Sequence, residues 1–325
     1  MKLFFSLGHV SEPFLRWFGI GLIASGLGLP FVDLVGRAAS WKPPVVVAED
    51  APVLRPELVI IPAGKFLMGS PEDELRRDAD EELHDVEIAQ PFAIARTEIS
   101  QAQYLEVMSK RPEESEHCNG AGVAANLPIV CVSWFDAVEY CNRLSEREGL
   151  QVAYEIQGED VRWDRESLGY RLPTEEEWEY AARAGTQTRW VGTDDVDAVC
   201  DYANVGDLSA KAKNPWAEWF KCDDSFPTLA PVDALEPNRW ELFGMGGNAA
   251  EWTWDSYYGT YPDSDEGNPN RNVAGASPSA YRVVRGGAWW QAPRHARVAN
   301  RRREVASSRN AFLGFRVARS LPSDF

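Results

Sequence analysis

The order of polar and apolar positions between residues 171 and 185 predicts a short helix with clear ends. Thr174 and Glu177 have the spacing of a capping box, in which the threonine hydroxyl accepts the Glu177 N–H and the glutamate accepts the Thr174 N–H. Gly185 is typical of a helix end. Three residues at i, i+3 and i+4 form one apolar stripe: Trp178, Ala181 and Ala182. A helix with one apolar face must pack against a larger body, so we expect a structural element.

Periodicity elsewhere predicts two more helices, a strand and a hairpin. The serine before residues 101–108 is placed to cap a helix, and apolar residues recur at helical spacing over 135–144. The apolar run 58–61, followed by Pro-Ala-Gly, predicts a strand. Short apolar segments at 154–156 and 161–163 predict a β-hairpin. We assign no chemistry to this hairpin, because hairpins of this kind are structural by default.

The first 56 residues differ from the rest and divide the chain. The run 17–32 is apolar over 16 residues, which is short for a bilayer span of about 20 residues. The sequence therefore predicts that residues 1–39 are a secretory signal or an uncleaved amino-terminal membrane anchor. Residues 40–56 are rich in proline and predict a linker, and 57–325 form one domain. We expect an exported protein, periplasmic or associated with the cell envelope.

Composition excludes some classes of partner. The chain has 325 residues, 44% of them apolar and 13 of them tryptophan, which is enough for one large core. Its net charge of −17 argues against general binding of nucleic acid or of anionic membranes.

The five cysteines agree with export. One pair flanks a loop at Cys118 and Cys131, and another pair flanks a loop at Cys200 and Cys222, so two local disulfides are predicted. The alternative is five buried thiols in a cytosolic protein. Cys141 lies in the predicted helix 135–144, where its spacing favours buried packing over reactivity.

Seven motifs follow one another from about residue 57 to the end of the chain: VIIPAGKFLMGS at 59–70, ARTEISQAQYLEVM at 95–108, PIVCVSWFDAVEYCNRLS at 128–145, GYRLPTEEEWEYAARAG at 169–185, GNAAEW at 247–252, RVVRGGAWW at 282–290 and LGFRVARS at 313–320. In content and order they resemble the formylglycine-generating enzyme, or sulfatase-modifying factor, family. The resemblance implies an α+β fold of the C-type-lectin-like class, a loop-rich single domain with few regular elements. It also implies that Cys141 is free, because the family's partner cysteine position is Val317 here.

The resemblance predicts the loss of the family's reaction. Catalytic members carry a serine and then two cysteines that bind copper, since soft thiolates select Cu(I). Here the serine falls at Ala288 and the cysteines fall at Gln291 and Ala296. Ala250 also stands where catalytic relatives often have an aromatic residue. We therefore expect no formylglycine-generating activity, no copper or iron, and no catalytic residue that we can name.

The resemblance also implies oxygen-rich loops that suit calcium. The first set combines two side chains and two carbonyls: Asn204, Val205, Asp224 and Phe226. The second set is weaker, because Gly244 replaces its usual Asn or Asp; it consists of the Gly247 and Ala249 carbonyls and the Glu251 carboxylate. The alternative for both sets is a hydrogen-bonded turn without metal.

Charge is concentrated in the final segment, where residues 281–320 hold ten arginines and one acid, Glu304. In one interpretation the arginines form partly buried ion pairs with acids of the same domain. The acidic run 72–82 is predicted to be a solvated loop. In the other interpretation a former substrate groove grips a peptide or an anionic glycan. That groove would consist of Trp289, Trp290, Gln291, Arg294, Arg297 and Arg301.

Three function classes remain open. We favour a non-catalytic exported domain that binds a protein, peptide or glycan through this groove. The second class is a copper or iron oxidase with noncanonical ligands, for which His295 is the only candidate proton carrier. The third class is a structural subunit of a cell-envelope complex, attached through the amino-terminal segment.

Overall fold

The computed structural model describes residues 54–113, 116–118, 122–212, 218–259, 261 and 280–322. The predicted signal or anchor at 1–39 lies outside the described residues, as does the predicted linker up to residue 53. Within the described part of the chain, no helix is both long and apolar enough to cross a bilayer.

Short strands and helices are separated by long irregular segments, as expected for an α+β fold. The helices are α1 (Gln101–Met108), α2 (Trp134–Arg147), α3 (Glu175–Arg183) and α4 (Val199–Tyr202), with 3₁₀ turns at Glu116–Cys118, Ala210–Ala212 and Pro293–Ala296. The strands are β1 (Leu58–Ile61), β2 (Gly64–Met68), β3 (His84–Ile88), β4 (Phe92–Ala95), β5 (Tyr154–Gln157), β6 (Asp160–Trp163), β7 (Tyr170–Arg171), β8 (Ala250–Ser256), β9 (Tyr281–Arg285), β10 (Arg302–Val305), β11 (Leu313–Gly314) and β12 (Ala318–Ser320).

Two four-stranded sheets organise the domain. One sheet has the order β1-β4-β12-β7, so strands from the two ends of the described chain pair with β4. The other sheet has the order β10-β9-β8-β11, with β11 parallel to β8 and the other pairs antiparallel. The pairs β2-β3 and β5-β6 form separate two-stranded units.

Helix α3 has the ends that its sequence predicts. The Thr174 hydroxyl accepts the Glu177 N–H at 3.2 Å, and the Glu177 carboxylate accepts the Thr174 N–H at 2.9 Å. The helix ends at Arg183, and Ala184 and Gly185 follow in left-handed conformations. Trp178 is fully buried, so the apolar stripe packs into the core. Serines also cap α1 and α2 through capping boxes.

The core joins the helices to the second sheet through aromatic residues. Trp254 of β8 contacts Trp134 of α2 and stacks on Tyr154 of β5. Cys141 is fully buried in this cluster as a free thiol, and burial raises its pKa. Both predicted disulfides are formed, between Cys118 and Cys131 and between Cys200 and Cys222.

Candidate functional site

Several arginines of the final segment lie in buried ion pairs. Arg297 is fully buried and donates to both carboxylate oxygens of Glu81, at 2.6 and 2.7 Å, and to Glu74 at 2.8 Å. Arg301 is buried against Glu175, with two hydrogen bonds of 2.6 and 2.9 Å. Burial by itself would raise the pKa of Glu81, but Arg297 and Ser70 hold it below its usual value.

These contacts correct two predictions. Arg297 and Arg301 do not line a groove, because each guanidinium is enclosed with a carboxylate that needs it for charge compensation. The acidic run 72–82 is not wholly solvated either, since Glu81 is fully buried and Glu74 reaches Arg297. For these residues the ion-pair interpretation is correct.

Other residues of the predicted groove do lie together. An open pocket of about 220 Å³, which we call the C-terminal pocket, is lined by Trp290, Gln291, Ala292, His295 and Arg302. Trp289 packs instead against a separate cluster that includes Val130 and Leu229. Arg294 is exposed, and its Nε donates to His295 Nε2 at 3.0 Å.

Of the two positions that the resemblance assigns to the catalytic cysteines, one lines this pocket and the other is buried in a neighbouring part of the described chain. Gln291 is part of its wall. Ala296 ends the Pro293–Ala296 turn and is buried in a cluster with Trp190 and Phe220. Ala288, at the serine position, is fully buried. None of these side chains is a good ligand for Cu(I), and the free thiol of Cys141 lies in the core.

Polar groups of the pocket lack partners. Gln291 Oε1, His295 Nδ1 and Arg302 Nη1 are shielded from solvent and have no hydrogen-bond partner among the described residues. The indole N–H of Trp289 has none either. Arg302 forms one contact with Glu304, at 3.3 Å. Unpaired buried groups each cost about 1–3 kcal/mol, which makes such a concentration unusual.

The pKa of His295 reflects the electrostatic environment of the pocket. Burial lowers the pKa of His295 to about 4, and Arg302 and Arg294 lower it further, while a side-chain interaction with Asn300, too weak to meet hydrogen-bond geometry, raises it by less. The imidazole is therefore neutral at physiological pH. Because its Nε2 accepts from Arg294, the proton lies on Nδ1.

The first predicted calcium set is brought together. Val205 N–H donates to Asp224 Oδ2 at 3.0 Å, and Phe226 N–H donates to Asp224 Oδ1 at 2.8 Å. The Cys200–Cys222 disulfide links the two halves of the loop. Asn204 is fully buried, and its Oδ1 has no partner among the described residues.

Asp207 joins this set, although sequence reasoning missed it. Its Oδ2 accepts the Asp224 N–H at 2.6 Å, and within the described part of the chain no Lys or Arg forms an ion pair with either carboxylate. Burial raises the pKa of Asp224 to about 7, the N–H groups of Phe226 and Val205 oppose the rise, and Asp207 adds to it. All four oxygens of these two carboxylates accept hydrogen bonds from backbone N–H groups or from Ser209, which is the pattern of the hydrogen-bonded turn, so a calcium ion here stays a prediction. Cys200 lies beside them, but its sulfur is in the disulfide.

The second set is changed by a residue from another part of the chain. Arg316 donates to both oxygens of Glu251 at 2.7 Å, and the Trp178 indole donates to one of them at 2.8 Å. A Cβ at position 244 would lie 2.4 Å from Glu98 Oε2, so the Glu98 carboxylate fills the space of the missing side-chain ligand at Gly244.

Glu98 therefore supplies an oxygen that sequence reasoning missed. Its Oε1 accepts from Asn248 at 3.0 Å, but its Oε2 has no partner among the described residues. Burial raises the pKa of Glu98 to about 8, Arg316 lowers it, and Glu251 raises it. Both oxygens of Glu251 are already bonded to Arg316 or Trp178, so Glu98 Oε2 is the carboxylate oxygen left open here among the described residues, and a divalent cation at this second set stays a prediction.

Comparisons with known proteins bear on the family and the fold of this chain. A family model described as "Sulfatase-modifying factor enzyme 1-like domain" matches residues 45–321. "Chaperone protein LppX" of Paenibacillus barcinonensis is 27% identical over 248 residues, which cover 70% of this chain and 80% of that protein. "Inactive C-alpha-formylglycine-generating enzyme 2" of Mus musculus is 27% identical over 319 residues, covering 82% and 86%.

A solved structure supports the fold assignment. The structure of PvdO from Pseudomonas aeruginosa matches with a TM-score of 0.62 and 28% identity, over 82% of this chain and 95% of that one. The expected C-type-lectin-like α+β fold, rich in loops, is confirmed.

Proposed function

We propose that this chain, which belongs to the sulfatase-modifying factor enzyme 1-like domain family, is an exported, non-catalytic member that binds a protein, peptide or glycan in the C-terminal pocket. One observation carries the proposal. Gln291, which stands at one of the two positions that the family resemblance assigns to the catalytic cysteines, forms part of the wall of an open pocket, and Ala296 stands at the other position.

The cysteine inventory supports the loss of formylglycine chemistry. Four of the five cysteines are joined in disulfides, and the fifth, Cys141, is enclosed in the core with a raised pKa. A thiolate is the form that binds copper and reacts, so burial keeps this thiol inert. The pocket keeps an aromatic wall at Trp290 and unpaired polar groups, which are features of a binding site.

Two further features support export and a binding role. Disulfides persist in oxidising compartments, and two of them staple loops of this domain. Among the relatives, one is named a chaperone and one is named inactive. Calcium at the Asn204–Asp224 loops, and at Glu98 and Glu251, would serve as a structural ion that neutralises buried acids.

The first test is metal content together with activity. The chain is exported into an oxidising compartment, purified without chelator and analysed by mass spectrometry, and then incubated with a cysteine-containing sulfatase peptide under oxygen. We expect no stoichiometric copper or iron, no aldehyde product and up to two calcium ions per chain. Near-stoichiometric copper or iron with substrate-dependent oxygen consumption would overturn the proposal in favour of the oxidase.

The second test concerns the pocket itself. Peptides selected by display against the folded chain, and glycans on an array, supply ligands for affinity measurements. Trp290→Ala should weaken the selected ligand about tenfold or more, since aromatic anchors dominate binding energy. Ile156→Ala, an exposed apolar residue on the β5-β6 hairpin, is the control and should have no effect. An equal loss of affinity in both variants, or no loss of affinity in either, would contradict binding at the pocket.

A further inference from the structure

We propose that the ligand of the C-terminal pocket is an extended peptide that presents a carboxylate to Arg302 and His295 and a hydrogen-bond donor to Gln291. The inference rests on the proposed function and adds the chemical class of the ligand. The carboxylate belongs to an Asp or Glu side chain or to a peptide C-terminus, and the experiment distinguishes these two sources.

The unpaired groups of the pocket define the hydrogen-bonding pattern of the ligand. Arg302 Nη1 and the protonated His295 Nδ1 are donors, so the ligand must supply acceptor oxygens. Gln291 Oε1 is an acceptor, so the ligand must also supply an N–H or O–H group. A carboxylate close to a peptide N–H has both. Small side-chain rotations would bring these shielded atoms into contact with it.

Charges around the pocket favour an anion. Among the described residues Arg302 pairs with one acid, Glu304, through a contact of 3.3 Å, and burial lowers the pKa of Arg302. Arg294 is exposed and has no ion pair among the described residues. Both arginines lower the pKa of His295, as a positive local potential would. A chain of net charge −17 thus has a locally positive pocket that can attract an acidic ligand.

A strand edge beside the pocket favours a peptide over an anionic glycan. Arg302 begins β10, the outermost strand of its sheet. Ala306 N–H donates to Ala280 O at 2.9 Å, so these two residues form a hydrogen-bonded pair between β10 and β9. In an antiparallel ladder every second residue bonds to the partner strand, so residues 302 and 304 also bond to β9. The backbone N–H and C=O groups of Arg303 and Val305 therefore point away from β9.

Among the described residues, no further strand pairs with that outward edge. In the described part of the chain, the Val305 carbonyl accepts from Ser308 at 2.7 Å, whereas both backbone groups of Arg303 and the Val305 N–H have no backbone partner. An extended peptide can add to such an edge as a strand, with its main chain supplying affinity and pockets reading its side chains. The Arg302 side chain would then read an acidic residue of the added strand.

The test uses the full chain and four fluorescein-labelled octapeptide libraries, measured by fluorescence polarisation. Two libraries have a fixed central Glu and two have Gln, and each pair has one free and one amidated C-terminus. Because charge-assisted hydrogen bonds are strong, we expect carboxylate peptides to bind about tenfold or more tightly than amide peptides. If the affinity depends on the central Glu, the bound carboxylate belongs to a side chain. If the affinity depends on the free C-terminus, the bound carboxylate is the peptide's terminal one.

Variants connect this preference to the pocket. Arg302→Gln should abolish the preference, whereas Arg162→Gln should retain it. Arg162 is the matched control, because it faces Asp160 at 3.3 Å on the β6 strand as Arg302 faces Glu304 on β10. Gln291→Glu adds a negative charge at nearly constant size and should reverse the preference toward amide peptides. Thermal unfolding of each variant verifies that it is folded. Arg302→Gln and Gln291→Glu then test the inference independently.

The failures are distinguishable. Equal binding of carboxylate and amide peptides by the natural chain, still lost in Trp290→Ala, would overturn the carboxylate inference and leave the proposed function standing. Binding of a sulfated or carboxylated glycan without binding of any peptide library would overturn the peptide inference. If no peptide or glycan bound, the inference and the proposed function would both be overturned.

Discussion

Arg297 and Arg302 lie five residues apart in the same basic segment, yet their surroundings are opposite. Arg297 is fully buried, and its guanidinium bonds to Glu81, Glu74 and a backbone carbonyl. Arg302 keeps one weak contact with Glu304 and leaves Nη1 unpaired at the wall of a pocket.

The difference separates structural arginines from candidate binding arginines. A fully bonded, buried guanidinium offers nothing to a ligand, and removing it would leave an uncompensated carboxylate. A guanidinium with spare donors at an open pocket adds little stability and can accept an anion. Residue type and neighbouring sequence do not distinguish the two, but their hydrogen-bond partners do.

The largest effect is expected from Arg297→Met. The substitution would leave Glu81 buried without its cation and should lower the free energy of unfolding by about 3–5 kcal/mol. Urea denaturation of the variant measures the loss. In the double variant Glu81→Gln/Arg297→Met the buried charge is gone, so part of the stability should return. A loss below about 1 kcal/mol in the single variant would show that the pair is solvated.

The next largest effect is expected from removing the disulfide that links the two halves of the first calcium loop. Cys200→Ala/Cys222→Ala should lower stability by about 2–4 kcal/mol, since the bond joins cysteines 22 residues apart. The matched control is Cys118→Ala/Cys131→Ala, whose separation is 13 residues, so its loss should be smaller. Calorimetry with and without calcium should show that the first variant alone loses the share of the calcium stabilisation that comes from the first set, while the share from the second set remains. Calcium stabilisation equal to that of the natural chain would contradict the placement of the first site.

A smaller effect, dependent on pH, is expected from the acids at the calcium sets. The folded-state pKa values are raised to about 8 for Glu98 and about 7 for Asp224, mainly by burial. The metal-free protein should therefore be more stable near pH 5.5 than near pH 8.5. Between the unfolded-state pKa values of about 4 and these raised folded values, stability should fall by about 1.4 kcal/mol per pH unit for each such carboxyl, and it should level off above the folded pKa. Burial shifts Glu176 in the same direction, to about 8.

Calcium and a substitution isolate the contribution of Glu98. Calcium should restore stability at pH 8.5, because it binds the ionised carboxylates. Glu98→Gln should flatten part of the pH dependence and reduce the calcium effect. Thermal unfolding across this pH range, with calcium or with chelator, provides the measurement. A chelated protein equally stable at both pH values would contradict the buried-acid account.

Features set by local sequence were predictable. The caps of α3, the strand at 58–61 and the hairpin β5-β6 follow from neighbouring residues. The two disulfides were also predicted from cysteines that flank loops, and both are formed. Each depends on chemistry within about two dozen residues.

Long-range pairs were not predictable from periodicity. Arg297 and Glu81 are 216 residues apart, so the sequence offered no reason to assign this arginine to an ion pair over a groove. Glu98 fills the space beside Gly244 from a distant segment, and its unpaired oxygen is visible only in three dimensions. The sequence singled out His295 only as the candidate proton carrier of an oxidase, and it did not show that the fold half-buries this side chain in the pocket wall.

The smallest effect on stability is expected from Arg302→Gln, and that small value is what makes the comparison informative. The substitution removes a partly exposed contact with Glu304, and such pairs contribute about 0–1 kcal/mol. It also removes an unpaired buried donor, which offsets some of the loss. Urea denaturation should therefore place Arg302→Gln within about 1 kcal/mol of the natural chain, far from Arg297→Met. A loss as large as that of Arg297→Met would make Arg302 a structural residue, and the two arginines would then differ in degree instead of in role.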